Sequence, residues 1–267
     1  MNRLDGKIAF LSGAARGIGA ETARLMVAAG AKVAIGDLLD EPGRETVRAL
    51  EAAGGEALYV PLDVTRAEDW AAAIAAVVAR FGGLDILVNN AGIFVARGIE
   101  ESTAADWERL CGVNLTGVIL GTQAALPALR ARGAASPQGS AIVNLSSIVG
   151  LVGSALAPLY SLTKGGITTF TKSLALEFAR KGYRIRVNSI HPGIIDTEMG
   201  GQAIAARAAR TGANSIEAAR AQAGAAHPIG RLGTATDIAK GIVFLASDDA
   251  GFMTGAGLTV DGGWTAQ

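Results

Sequence analysis

Cysteine is nearly absent from this 267-residue chain: one residue of that type excludes an internal disulfide framework and points to a reducing compartment. Histidine is almost as scarce, and two histidines with one cysteine are too few for a zinc site of the usual His/Cys kind. Charge of neither sign is in excess. With 24 Lys+Arg against 24 Asp+Glu, the chain carries no basic footprint for nucleic acid. The start, Met1 to Lys7, lacks the apolar stretch of a secretory signal. The longest apolar tract, Ala71 to Ala79, falls short of the ~20 residues a spanning helix needs, so a cytoplasmic protein with no membrane partner is expected. There is no G-x-x-x-x-G-K-[ST] to support a nucleotide-hydrolysing phosphate loop, and no G-x-S-x-G to support a hydrolase.

What is plentiful is apolar surface and glycine. Half the residues are hydrophobic and only 18% are charged, which argues against disorder. The 36 glycines are about twice the ordinary ~7% usage, and glycine marks turns and places where backbone must approach a ligand. The length suits one large α/β domain, with no linker long enough to divide it.

Short apolar runs alternate with helical patterns along the chain. Strands are expected near Lys7–Leu11, Lys32–Gly36, Glu56–Val60, Asp85–Asn89, Ala141–Leu145, Arg184–Ile190 and Leu258–Val260. Helices are expected over Ile18–Ala29, Glu41–Ala53, Ala67–Phe81, Ala104–Ala131, Ala157–Lys181 and Thr234–Ala246. Nearly continuous apolar strands separated by helices indicate a parallel sheet covered on both faces. Residues Gly133 to Gly139 read as a surface loop. Residues Gly200 to Pro228, rich in Ala and Arg with glycine at 200, 201, 212 and 224, read either as a mobile cover over a site or as a plain exposed helix pair.

Gly13-x-x-x-Gly17-x-Gly19 lies between the first strand and the first helix. Glycines there allow a tight turn and close approach of backbone to a pyrophosphate, and the helix N-terminus offers free N–H groups. Asp37 ends the second strand, where an acidic residue accepts hydrogen bonds from an adenosine ribose. Tyr160 and Lys164, four residues apart on a helix, share one face. A phenol with its ordinary pKa of ~10 is too weak a base at neutral pH, but a neighbouring ammonium favours the phenolate, so such a pair can exchange a proton with an alcohol or carbonyl. Ser147, thirteen residues earlier, can hold the same oxygen, or act as an ordinary cap. His191, beside Pro192, reads as structural.

Taken together, Ser12-Gly13-Ala14-Ala15-Arg16-Gly17-Ile18-Gly19, Asp63-Val64, Asn89-Asn90-Ala91-Gly92, Asn114, Asn144-Leu145-Ser146-Ser147, Tyr160-x-x-x-Lys164 and Pro192-Gly193 resemble the short-chain dehydrogenases/reductases over essentially the whole chain. Ser12 stands where the family usually has Thr. The two ends, and Ser146 to Gly153, look similar to secondary-alcohol dehydrogenases of that family.

The resemblance implies a single-domain, doubly wound Rossmann fold with a seven-stranded parallel sheet. It implies Tyr160 as general acid/base, Lys164 lowering its pKa and binding the nicotinamide ribose, Ser147 orienting the substrate oxygen, and Asn114 holding a water that links Lys164 to solvent. Gly13, Arg16, Gly17, Ile18 and Gly19 would form the phosphate loop. Asp63 would meet the adenine amino group and Val64 the adenine ring; Asn90 and Gly92 would line the adenosine side, and Ile195 and Thr197 would contact the nicotinamide carboxamide. Asn89 and Asn144 would serve structure.

Asp37 would repel a 2′-phosphate, and Leu38, Asp40 and Glu41 add no positive charge, so NAD(H) is expected over NADP(H), with Arg16 as the contrary signal. The reaction expected is interconversion of a secondary alcohol and a ketone, with no metal. Ile93, Phe94, Val149, Leu151 and Val152 would line an apolar pocket or pack in the core. A hydroxysteroid, a sugar or polyol, and a 3-oxoacyl thioester stand as alternative substrates, and a non-catalytic nucleotide-binding regulator as an alternative class. Family members are usually tetramers, so a homotetramer is expected, with the Gln267 carboxylate a candidate cation ligand at a subunit contact.

Overall fold

In the computed structural model, which describes residues 3–211 and 215–267, seven parallel strands form one sheet in the order β3-β2-β1-β4-β5-β6-β7. The strands are β1 (Ile8–Ser12), β2 (Lys32–Asp37), β3 (Ala57–Pro61), β4 (Ile86–Asn89), β5 (Ser140–Leu145), β6 (Ile185–Pro192) and β7 (Gly257–Val260). Helices α1 (Gly17–Ala28), α2 (Asp40–Ala52), α3 (Ala67–Phe81), α4 (Ala104–Cys111), α5 (Gly117–Ala135), α6 (Pro158–Arg180) and α9 (Ala235–Ala246) link or flank them. Between β6 and α9 come α7 (Glu198–Thr211) and α8 (Ile216–Ala225). The expected doubly wound Rossmann architecture is therefore present. Winding reverses between β1 and β4, which opens a crevice at the carboxyl edge of the sheet.

Strand alternation builds the two layers. Ala9 and Leu11 of β1, Val33 and Ile35 of β2 and Val88 of β4 face one side, against Met26 of α1 and Ile238 and Ile242 of α9. Ile8 and Phe10, Ala34 and Leu87 face the other, against Trp70 of α3, Leu129 of α5 and Phe178 of α6. Side chains alternate faces along a strand, so near-continuous apolar runs are what a sheet covered on both sides requires. Phe10 and Leu11 are fully buried, each stabilising the fold by about 1.5–3 kcal/mol.

Two departures from the sequence expectation concern the same stretch. The single helix expected over Ala104–Ala131 is broken by a π-helical turn at Gly112–Thr116, and α5 runs on to Ala135, so Gly133 is helical rather than loop. A β-carbon at Gly133 would lie 2.5 Å from the Arg184 carbonyl oxygen just before β6, so close packing on that backbone requires this glycine. The combined stretch Ala104–Ala135 is long and apolar enough to pass for a membrane span among the described residues, but α5 packs on α3, β4 and β5 as a core helix.

The segment expected to cover a site is a helix pair. Ile204 and Ala208 of α7 meet Ala219 and Ala223 of α8 in a small apolar cluster that also holds Ile194 and Leu232. Gly212 of that segment lies outside the described residues.

Candidate active site

The carboxyl ends of β1, β2, β4, β5 and β6 bring together nearly all of the residues singled out above. After β1 the chain turns through Gly13 and Gly17, both with positive φ (63° and 61°). A β-carbon on Gly13 would lie 2.6 Å from Ala91 Cα, and one on Gly19 the same distance from Ala14 Cα, so both glycines are demanded by packing. At Gly17 a β-carbon would meet, among the described residues, Thr197 Cγ2 at 3.7 Å, an ordinary contact rather than a clash. Helix α1 starts there with Arg16 as its N-cap, no side-chain cap bond and no acidic residue in its first turn. By contrast, α4 and α9 are closed by capping boxes from Thr103 and Thr234. The uncapped N–H groups of α1, Ile18 among them, are suited to an anion.

Asp37 is tied to this loop: its carboxylate accepts from Ala15 N at 2.9 Å and Leu39 N at 3.0 Å. Asn90 pins the loop from below, its amide donating to Ser12 O at 2.9 Å and Gly13 O at 2.6 Å. Its amide hydrogens thus face the loop backbone rather than an adenosine. Ser12 Oγ accepts from Asn90 N and Ala91 N, each at 3.2 Å, so the hydroxyl retained in place of Thr has a local task. Asp63 accepts from both Thr65 N (2.9 Å) and Thr65 Oγ1 (2.7 Å). Val64 is buried, and Gly117 leaves room for it: a β-carbon there would sit 3.0 Å from Val64. Arg16 forms an exposed ion pair with Glu198 at the start of α7, so its guanidinium reaches across the crevice instead of toward Asp37. Thr197 faces the loop with Arg16's partner, while Ile195 turns its side chain into the core.

Tyr160 and Lys164 lie buried on the inner face of α6. Lys164 Nζ donates to Leu145 O at 2.7 Å and stands 5.7 Å from the Tyr160 ring centroid. Burial lowers the lysine pKa from 10.5 to about 8. Burial also raises the Tyr160 phenol above its ordinary value, opposed by a hydrogen bond with the Ser147 hydroxyl. Burial and the Ser147 hydroxyl are the two influences on this phenol, while the Lys164 ammonium is anchored on a carbonyl.

Ser147 caps a short helical turn, its Oγ accepting from Val149 N at 3.3 Å. Asn114 sits in the π-helical turn, where its Oδ1 accepts from Ile93 N (2.8 Å) and its amide donates to Ile93 O (3.0 Å) and Thr163 Oγ1 (3.2 Å). π-Turns inside helices occur frequently at functional sites. A β-carbon on Gly92 would lie 3.4 Å from Asn114 Oδ1 and 3.6 Å from Lys164 Nζ, so the glycine keeps these two groups accessible to one another. Asn89 and Asn144 are joined at 2.8 Å, and Asn144 donates on to Thr171 at 3.0 Å, a buried strand-to-helix tie. Ile93, Phe94, Val95, Val149 and Leu159 pack around Tyr160, with Phe94 edge-on to its ring at 5.1 Å; Leu151 and Val152 are exposed.

Both histidines contribute more than sequence reasoning finds. His191 is fully buried, its Nδ1 3.2 Å from Ser147 O and its Nε2 2.8 Å from Ser189 Oγ, so it supports the backbone of the serine. His227 bonds the segment after β6. Their scarcity was the only signal in the sequence, since contacts across 33 to 44 residues leave no local pattern. Among the described residues no cluster of three or more His, Cys, Asp or Glu side chains could hold a metal ion.

Against this geometry, a family profile described as enoyl-(acyl carrier protein) reductase matches residues 13–265. The chain belongs to the short-chain dehydrogenase/reductase family. Curated relatives in the family align end to end. A trans-4-hydroxycyclohexanecarboxylate dehydrogenase of Sinomonas cyclohexanicum is 41% identical over 99% of this chain and 95% of its own length. A 3-alpha-(or 20-beta)-hydroxysteroid dehydrogenase of Mycobacterium bovis is 42% identical over 99% and 91%, and a cyclopentanol dehydrogenase of Comamonas is 36% identical over all of both chains. This short-chain dehydrogenase/reductase is therefore an oxidoreductase of alcohols and ketones that works with a nicotinamide cofactor. The residues fit such a dinucleotide: a loop where two glycines admit no β-carbon, an uncapped helix N-terminus, and a carboxylate at the end of β2.

Proposed function

We propose that the protein interconverts a cyclic secondary alcohol and its ketone using NAD(H), with Tyr160 exchanging the carbinol proton. The observation that carries this reading is the convergence of Ser147, Tyr160 and Lys164, with Ser147 bonded to the Tyr160 hydroxyl, Lys164 one turn further along α6, and Tyr160 set in an apolar cluster. When bound, the nicotinamide ring supplies the hydride chemistry. Gly13, Arg16, Gly17, Ile18 and Gly19 would hold its phosphates, Asp37 the adenosine ribose, Asp63 and Val64 the adenine, Gly92 and the backbone of Asn90 the adenosine ribose side, and Ile195 and Thr197 the carboxamide.

In oxidation the Tyr160 phenolate accepts the proton of the substrate hydroxyl; in reduction the phenol returns it to the ketone oxygen. Ser147 Oγ orients that oxygen and stabilises charge developing on it. The Lys164 ammonium favours the phenolate. Asn114 fixes the backbone of Ile93 and retains an Oδ1 lone pair for the water that would link Lys164 to solvent. The apolar cluster around Tyr160, together with relatives named for cyclic alcohols, supports a ring-shaped substrate.

The preference for NAD(H) rests on Asp37, held at the loop with exposed Leu38 beside it, and on Arg16 being paired with Glu198. The expected kcat/KM ratio is at least about tenfold in favour of NAD, roughly 1.4 kcal/mol; a preference for NADP would overturn it. A panel running from cyclopentanol through substituted cyclohexanols to hydroxysteroids, followed at the nicotinamide absorbance band, tests the substrate class. Cofactor binding without turnover of any member would favour a regulator instead. We also infer a homotetramer in the cytoplasm. Exposed Leu162 and Leu176 on α6, and Phe252 and Ile229 near the β7 edge, supply apolar surface for subunit contacts.

A further inference from the structure

We propose that His227 is a positioning residue for the cofactor, holding in place the backbone that leads from β6 to Ile195 and Thr197. The proposal rests on the assignment of that segment to the nicotinamide end. His227 is 2% exposed, and both ring nitrogens meet backbone of different elements. Its Nε2 lies 3.2 Å from Ile194 N, which can only donate, so Nε2 accepts. The ring proton is therefore on Nδ1, which donates to Ala223 O of α8 at 2.8 Å. One neutral tautomer satisfies both bonds.

The surroundings are shaped to this ring. A β-carbon on Gly193 would lie 2.9 Å from Nε2, so the glycine of Pro192-Gly193 lets the imidazole reach the next amide. Trp264 packs against it with the rings tilted by 59° and their centroids 5.0 Å apart. The segment is held by backbone and side-chain bonds together. Gly193 N donates to Val260 O at 3.1 Å, Ile194 O accepts from Gly233 N at 3.0 Å, and Ile194 N donates to His227. Asp196 N also donates to Gly233 O at 2.8 Å, and two side chains tie the segment to α8 and the turn after it: Arg220 on the Asp196 carboxylate, and His227, which alone bonds the backbone at Ile194. His227 thereby ties the helix pair beside the crevice to the backbone that would meet the nicotinamide.

Two substitutions separate positioning from general support. Asn at 227 can still donate to Ala223 O but cannot reach Ile194, leaving a buried N–H unpaired. Gln, one bond longer, can place an oxygen where Nε2 stood. The dissociation constant for NADH, read by fluorescence titration, is expected to rise about tenfold in His227→Asn and to stay within about threefold of wild type in His227→Gln. Turnover at saturating cofactor should change by less than about threefold in both, which splits KM from kcat. An Asn variant that binds NADH like wild type, or a Gln variant as weak as Asn, would overturn the role. If the Asn variant does not fold, hydrogen exchange on the wild-type protein decides: NADH should protect residues 193–197 and 223–228 together, and protection of the first without the second counts against it. A wild-type chain that binds neither NADH nor NADPH would overturn the site assignment itself, and this inference with it.

Discussion

A phenol and an ammonium sit one turn apart on α6, and burial pushes each toward its neutral form. Tyr160→Phe removes only the phenolic hydroxyl, so it should fold, bind NADH and lose about 10²–10⁴-fold in kcat. Near wild-type turnover would remove the residue from the chemistry. Lys164 makes a separate prediction about stability. Its pKa is about 8 folded against 10.5 unfolded, so between these pH values the unfolded chain binds more protons. Stability against urea should therefore rise with pH across that window, an increment absent from Lys164→Met. A wild type and variant with parallel pH profiles would contradict the buried, deprotonating lysine.

The strand–turn–helix element at the start of the chain uses its glycines for different reasons, and the difference is measurable. Gly17→Ala meets no collision and should cost only the left-handed backbone penalty, about 1–2 kcal/mol in urea unfolding. Gly13→Ala adds a clash with Ala91 Cα at 2.6 Å, for a further cost of about 1–3 kcal/mol. Equal losses would show that packing against Ala91 is not what demands Gly13. The same element was legible from sequence because its signals are local: three glycines, a short apolar run and an acid at the next strand end. The α4–α5 stretch was not. Nothing in its composition marks the π-helical turn that carries Asn114, since the widened turn answers to Ile93 and Thr163, 21 and 49 residues away.

At the scale of the molecule, the sheet ends at β7, and Phe252 close by is fully exposed. An edge strand beside bare aromatic surface is a pairing hazard unless covered. Light scattering on the purified protein should give a mass of four chains, and Phe252→Asp should shift it to a smaller assembly. A monomer at micromolar concentration would rule the tetramer out. The exposed Arg16–Glu198 pair also acts at this scale, since it bridges the glycine loop and the α7–α8 pair; as a surface ion pair it contributes little to stability, about 0–1 kcal/mol.

Sequence by itself determined the parallel sheet, the crevice-forming glycine loop, the Tyr160–Lys164 pair and the family, because apolar periodicity, glycine spacing and i to i+4 placement are properties of adjacent residues. Only the tertiary structure decided that Asn90 clamps the loop, that Arg16 turns to Glu198, that Val64 packs beneath Gly117, and that both histidines brace the site's backbone. It alone decided how deeply Tyr160 is buried and that the Ser147 hydroxyl bonds its phenol. Burial and long-range pairing depend on how distant segments meet.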